Sequence, residues 1–251
     1  MLLLALDTSS AVGVALLEGE RVLAQEQHHD PRRHGELLAP SVRSVLAAAG
    51  VDRRDLGAVA VGVGPAPFTG LRVGVVTALA LGEALGIPVH GVSSLDALAA
   101  SALAAAPVSA RGPLAGGFVV AADARRREVH WARIAIDGGA DALADPLSGW
   151  RRTAGPAVDT PADVAAGIAG EGLPAVGRGA ALYRDTLPGP DVLAGASGDA
   201  HDTVELPLDP DPGVLGALVA RRLATGGELL PPRPMYLRRP DAQVPAALAG
   251  R

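Results

Sequence analysis

Asp7, Thr8 and Ser9 close the apolar N-terminal run LLLALDTSS and put a carboxylate and two hydroxyls at the end of what reads as a buried strand. Such a turn can hold a phosphate when backbone amides approach it closely, which a glycine inside the turn allows. Here the first glycine is Gly13, several residues late, which favours the other reading: a turn whose Asp and hydroxyls satisfy their own backbone. A second turn of the same kind begins at Asp123 and reads DARRRE. Its arginines bring charge but fill the room a phosphate needs, so it reads as a solvated cluster or as a contact for a polyanion or an acidic partner. The segment GVGPAPFTGLRVGV, residues 62–75, has the glycines of a phosphate loop without its lysine, because Gly70 is followed by Leu71 and Arg72.

Other chemistries fail on residue types. All 22 basic residues are Arg, so Schiff-base, phosphate-loop and kinase-type lysines are excluded. There is no Cys, hence no thiolate nucleophile, disulfide or cysteine metal site. The six histidines include no His-x-x-x-His pair, and no Gly-x-Ser-x-Gly elbow occurs. A net charge of −5 gives no overall basic field for nucleic acid, and 2% aromatic content gives no stacking platform. The N-terminal MLLLAL lacks a cationic start and reaches Asp7 too soon for a signal peptide. Charges or glycines break every long apolar stretch, so a cytoplasmic protein without membrane contact is expected.

The elements that must position these residues follow from periodicity. LLLALD, AVGVALLEGE and RVLAQEQHH read as three antiparallel strands, the second pair joined by a turn at Glu18, Gly19 and Glu20. From His34 to Ala49 the apolar residues Leu37, Leu38, Val42, Val45 and Leu46 fall on one helical stripe that Gly50 stops. LGAVAVGVG returns to strand. A helix capped by Thr69 is expected from about Gly70 to Leu85, ended by Gly86 and Pro88; then come the strand IPVHGV and a helix to Leu103 with Ser93 and Asp96 as a capping box. The order β-β-β-α-β-α-β-α is that of a ribonuclease-H-like lobe. After an Ala-, Pro- and Gly-rich junction at 104–117, GFVVAADARRREVHWARIAID repeats the opening. A first lobe at 1–105 and a second, reduced lobe at 106–251 are therefore expected. In the second, Thr160 and Pro161 start a short helix, PAVGRGAALY is a strand and glycine turn, and Asp211 and Pro212 start a helix at about 213–225, placed to pack back on the first lobe.

LALDTSS, HGELLAP, GVGPAPFTGLRVGV, GVSSLDALA, DARRREVHWA and PRPMYLRRPDA occur in an order and at spacings that resemble the bacterial TsaB (YeaZ) family, most specifically at Phe68–Arg72. The resemblance implies an α/β, two-lobed actin-like ATPase (ASKHA) fold. It implies a non-catalytic subunit that binds the catalytic paralogue TsaD and, through the complex, a TsaE-like ATPase and tRNA. The complex transfers a threonylcarbamoyl group to N6 of adenosine 37 in ANN-decoding tRNAs. ATP and metal are then expected in the partner subunits, with only a vestigial phosphate turn at Asp7, Thr8 and Ser9 in this chain. The expected partner surface pairs the helix of Leu38, Val42 and Val45 with that of Gly70, Arg72, Gly74, Ala78 and Gly82, and the same surface is expected to form a homodimer when TsaD is absent. This chain departs from the family pattern at Ala66 and Pro67, where Gly-Ser is usual, and at His130, where Tyr is usual. The alternatives are an independent ASKHA-type small-molecule kinase, which needs two facing phosphate turns, and a peptidase, which needs a metal pair.

Overall fold

The computed structural model describes residues 1–30, 33–105, 111–138, 144–190, 192–194 and 203–238. The chain opens with β1 (Leu2–Asp7), β2 (Val12–Glu18) and β3 (Arg21–His28), then α1 (His34–Ala49), β4 (Leu56–Gly62), α2 (Phe68–Leu85), β5 (Val89–Val92) and α3 (Ser94–Ala105). The first sheet runs β3-β2-β1-β4-β5, with β1, β2 and β3 antiparallel and β4 and β5 parallel to β1. Its strands β1 and β4 are near-continuous apolar runs because helices cover both faces. On one face, Leu4, Leu6, Val59 and Val61 meet Leu38, Val42 and Val45 of α1 and Leu71, Val75 and Ala78 of α2.

The second sheet repeats the plan. The strands β6 (Phe118–Asp123), β7 (Val129–Ile136) and β8 (Trp150–Asp159) form an antiparallel meander, and after α4 (Pro161–Gly167), β9 (Ala175–Val176) lies parallel to β6. Among the described residues this sheet has four strands, in the order β8-β7-β6-β9. Then follow α5 (Arg178–Leu182), a ribbon of β10 (Val192–Ala194) and β11 (Thr203–Glu205), and α6 (Pro212–Thr225). Helix α6 returns to the first sheet, where Leu215, Leu218 and Val219 pack on Leu3, Ala5 and Leu17. Gly216 permits the approach, since a Cβ there would lie 2.3 Å from Leu17 Cδ1. The caps Thr160 and Asp211 accept hydrogen bonds from the Asp163 and Val214 amides.

Three local expectations are corrected. Helix α2 starts at Phe68, with extended Pro67 as its N-cap, so Thr69 lies inside the first turn and does not cap it. Asp96 does not close a capping box with Ser93, because its carboxylate is taken by Arg152 at 2.8 Å and Arg222 at 3.3 Å. In PAVGRGAALY the strand leads not into a plain turn but into α5, after Gly177 at φ 101°. One described helix, α2, is long and apolar enough to cross a membrane; one face of it, with Leu71, Val75 and Ala78, packs on the first sheet.

Candidate functional site

At the end of β1 the side chains of Asp7, Thr8 and Ser9 are all engaged within the protein. Asp7 Oδ1 accepts from the Ser9 amide (2.8 Å) and hydroxyl (2.6 Å), and Oδ2 accepts from Ser94 Oγ at 2.7 Å. Burial pushes the Asp7 carboxyl above its ordinary range, and these three donors only partly oppose it. Gly62 makes room, for a Cβ there would sit 1.8 Å from Asp7 Oδ2. Thr8 reaches further. Its hydroxyl donates to Gly70 O at 2.8 Å and accepts from Gly74 N at 3.0 Å, inserting between the carbonyl and amide that an uninterrupted α-helix would join directly. A Cβ on Gly74 would lie 2.4 Å from that hydroxyl, and one on Gly70 3.0 Å from Thr8 O. The glycines of residues 62–75 thus let a strand end dock into a helix.

The Asp123 turn faces this one across a cleft of about 360 Å³, lined by Ser9, Ser10, His34, Thr69, Asp123 and Arg178 among others. Arg125, Arg126 and Arg127 all have left-handed φ, 62°, 55° and 62°, a conformation that costs non-glycine residues roughly 1–2 kcal/mol each. Asp123 steadies the turn by accepting from Arg125 N at 2.8 Å and pairing with the Arg125 guanidinium at 3.2 Å. At the cleft wall Arg178 Nε donates to Asp209 Oδ1 at 2.9 Å, and His29 Nδ1 lies 3.1 Å from Asp209 Oδ2. Burial works to raise the Asp209 carboxyl, but Arg178 with help from Ser10 and His29 holds it below the usual range. No cluster of three or more His, Asp or Glu suited to a metal occurs among the described residues.

The residues expected at a partner interface divide by face. Leu38, Val42 and Val45 are buried against the first sheet, as are Gly74, Ala78 and Gly82 on α2. The small-residue stripe is therefore corrected from an outer surface to an inner one: Gly74 admits Thr8, and a Cβ on Gly82 would meet Val89 Cγ2 at 2.4 Å. Gly70 serves the Thr8 contact. Arg72 faces out, with its Cζ 4.0 Å above the Phe68 ring and its Nε donating to Tyr236 OH at 3.0 Å, while Phe68 and Tyr236 stack at 4.9 Å. The outer face of α2 exposes Phe68 (49%), Val76 (61%) and Leu79 (43%). The available signal was that α2 carries apolar residues all round its circumference, so one sheet cannot cover them all. Ala66, Pro67 and His130, the departures from the family pattern, line a second cavity beside Phe68.

Two lobes of repeated topology, with paired Asp turns facing across a cleft, define an actin-like (ASKHA) fold. The family model described as "TsaD: tRNA N6-adenosine threonylcarbamoyltransferase" matches residues 19–200. The chain is 40% identical to an uncharacterised protein of Mycobacterium tuberculosis over 245 residues, 96% of this chain and 93% of the relative. It is 37% identical to the tRNA threonylcarbamoyladenosine biosynthesis protein TsaB of Escherichia coli over 142 residues, covering 55% of this chain and 56% of that one. The solved YeaZ from Pseudomonas aeruginosa superposes with a TM-score of 0.70 at 30% identity, over 94% of this chain and 99% of that one. The chain belongs to the TsaB (YeaZ) family, within the wider group that the TsaD model describes.

Proposed function

We propose that this chain is the non-catalytic partner subunit of a cytoplasmic complex that transfers a threonylcarbamoyl group to N6 of adenosine 37 in ANN-decoding tRNAs. It acts by binding a TsaD-like catalytic paralogue, with a TsaE-like ATPase and tRNA joining through the complex and with ATP and metal held by the partners. The observation that carries this reading is the state of the Asp7 turn. Its carboxylate and both neighbouring hydroxyls are spent on Ser9, Ser94 and the α2 backbone, which leaves a phosphate no donor from these side chains. The docking surface is the outer face of α2 beside α1. Its exposed Val76 and Leu79 suit a contact between helix pairs, made with TsaD or with a second copy when TsaD is absent.

Co-expression with the TsaD homologue of the same genome, followed by co-purification, tests the reading. Val76→Asp with Leu79→Asp should weaken co-purification at least about tenfold and lower tRNA modification in cells, with an unchanged circular-dichroism spectrum. Undiminished pairing would place the interface elsewhere. The cleft between the two turns keeps a kinase reading open, and calorimetry with ATP and Mg²⁺ decides it: micromolar binding with steady hydrolysis would sink the non-catalytic assignment.

A further inference from the structure

The turn between β6 and β7 contains three successive residues with left-handed φ, Arg125 at 62°, Arg126 at 55° and Arg127 at 62°, and all three are exposed. L-residues avoid this conformation, and glycine would adopt it without strain, so the fold holds three arginines at positions that favour a smaller residue. Strained backbone that persists in this way points to function. The turn is held by its own backbone and by one distant side chain. Ala124 N donates to Glu128 O at 3.1 Å, Glu128 N to Arg125 O at 3.0 Å and Arg125 N to Asp123 Oδ1 at 2.8 Å. Arg238 Nη1 donates to Ala124 O at 3.0 Å, and the same guanidinium pairs with Glu128. Residues 123–128 with Arg238 thus set Arg125, Arg126, Arg127 and Arg238 against only two carboxylates, Asp123 and Glu128, on a chain whose net charge is −5.

Two residues before Arg238, Tyr236 stacks on Phe68 at 4.9 Å. Arg72 has its Cζ 4.0 Å from the centre of the Phe68 ring and donates from Nε to Tyr236 OH at 3.0 Å. Phe68 and Tyr236 are 49% and 42% exposed, so the stacked pair keeps ring surface in water. Both line the same cavity as Arg125, Arg126 and Arg238, which makes the rings and the charged turn neighbours. An aromatic content of 2% argues against a stacking platform, but composition does not show that the fold brings positions 68 and 236 together.

We propose that this surface binds single-stranded RNA, with phosphates held by Arg125 and Arg127 and an unpaired base stacked at the Phe68–Tyr236 pair. Arg125 keeps donors beyond its pair with Asp123, since a guanidinium has five N–H groups. Guanidiniums alone would suit any polyanion, an acidic protein included. Exposed rings beside them favour unpaired bases, whose flat faces stack on aromatic side chains. The choice of RNA rests on the proposed function, and the inference goes beyond it by giving this chain its own RNA contact in place of one made only through the complex.

The test uses the full chain alone, with fluorescence anisotropy of a labelled RNA of about 12 unpaired nucleotides, which should bind saturably. Affinity should fall about sevenfold between about 50 and about 200 mM salt, as the release of counterions from two phosphates requires. The same RNA annealed into a duplex should bind at least about tenfold more weakly, because its bases are already stacked, and so should a glutamate peptide of equal length, because it has none. Arg127→Gln should weaken the single strand about threefold and roughly halve the salt dependence. Tyr236→Ala should weaken it about tenfold at unchanged salt dependence, while Tyr236→Phe, which keeps the ring, should bind as the wild type does. Three results overturn the proposal: no saturable binding, equal binding of the duplex, or equal binding of the peptide, the last of which would give the surface to an acidic protein. Should Tyr236→Ala fail to fold, the comparison of single strand, duplex and peptide on the wild type decides. Because TsaD is left out, a failure here is distinct from a failure to pair with TsaD, which co-purification reads separately.

Discussion

His130 is the described side chain whose burial has the clearest consequence for stability. Its folded pKa of about 4 lies below the ordinary 6.5, because desolvation disfavours the imidazolium and Asp123 compensates little. The unfolded chain therefore takes up a proton as the pH falls through 6.5 while the folded chain does not. The stabilisation is fully present above 6.5, falls with decreasing pH, and is exhausted once the folded ring protonates near pH 4. Over that window the loss is on the order of 3 kcal/mol. Urea denaturation of wild type and His130→Phe between pH 7 and pH 4 should show the wild type losing about this much more than the variant. Parallel curves would mean that the ring is solvated or paired in the folded protein.

At the scale of elements, the junction of β1 with α2 is the feature on which the first lobe turns. Thr8→Val keeps the shape of the side chain but leaves Gly70 O and Gly74 N facing a methyl group inside the helix. The expected cost is about 1–3 kcal/mol, read as a lower urea midpoint with an unchanged slope. Thr8→Ser should restore most of it, and a Thr8→Val protein as stable as wild type would show that the helix re-forms its own bond. Little of this junction was legible in the sequence, although its surroundings were. The α1 stripe with Gly50, the Thr160 and Asp211 caps and the order of the first lobe depend on local periodicity and neighbouring residues, and local signals suffice for them. Asp96 misled because the groups that claim its carboxylate, Arg152 and Arg222, are distant in the chain. The Gly74, Ala78 and Gly82 stripe misled because periodicity shows that residues share a face without showing which way the face points. On a helix apolar all round, only the partner at Thr8 and the strand at Val89 decide it.

At the scale of the whole molecule, the two lobes share α3. Residues Ser94–Leu103 are all buried: Leu95, Leu98, Ala99 and Ala102 pack against Phe118, Val120, Ala132 and Ile134 of the second sheet, while Ala97 and Ala100 pack with Leu3, Ala5 and Ala58 of the first. Polar ties reinforce this layer. Asp96 on α3 holds Arg152 of β8 and Arg222 of α6, and Arg221 holds Glu20 at 2.5 Å and Asp145 at 2.5 Å. A two-lobed protein that closes on a ligand needs a hinge at which few contacts change, whereas opening these lobes would expose α3 to water on one side. The buried layer of α3 therefore joins the two lobes. Such a molecule should unfold as one unit. Trp131 lies within the second lobe and Trp150, on the same sheet, also packs against the cluster of β1, β2 and α6, so their fluorescence follows the second lobe and its junction with the first while far-ultraviolet circular dichroism follows the whole chain, and the two urea transitions should coincide. Asp96→Ala leaves two partly buried guanidiniums without their carboxylate and should cost about 3 kcal/mol, with the transitions still coincident because the apolar layer around α3 remains. A fluorescence transition that precedes the dichroism change in the wild type would show that the second lobe melts alone. Separation in Asp96→Ala only would show that the ion pairs, and not the packing of α3, join the lobes.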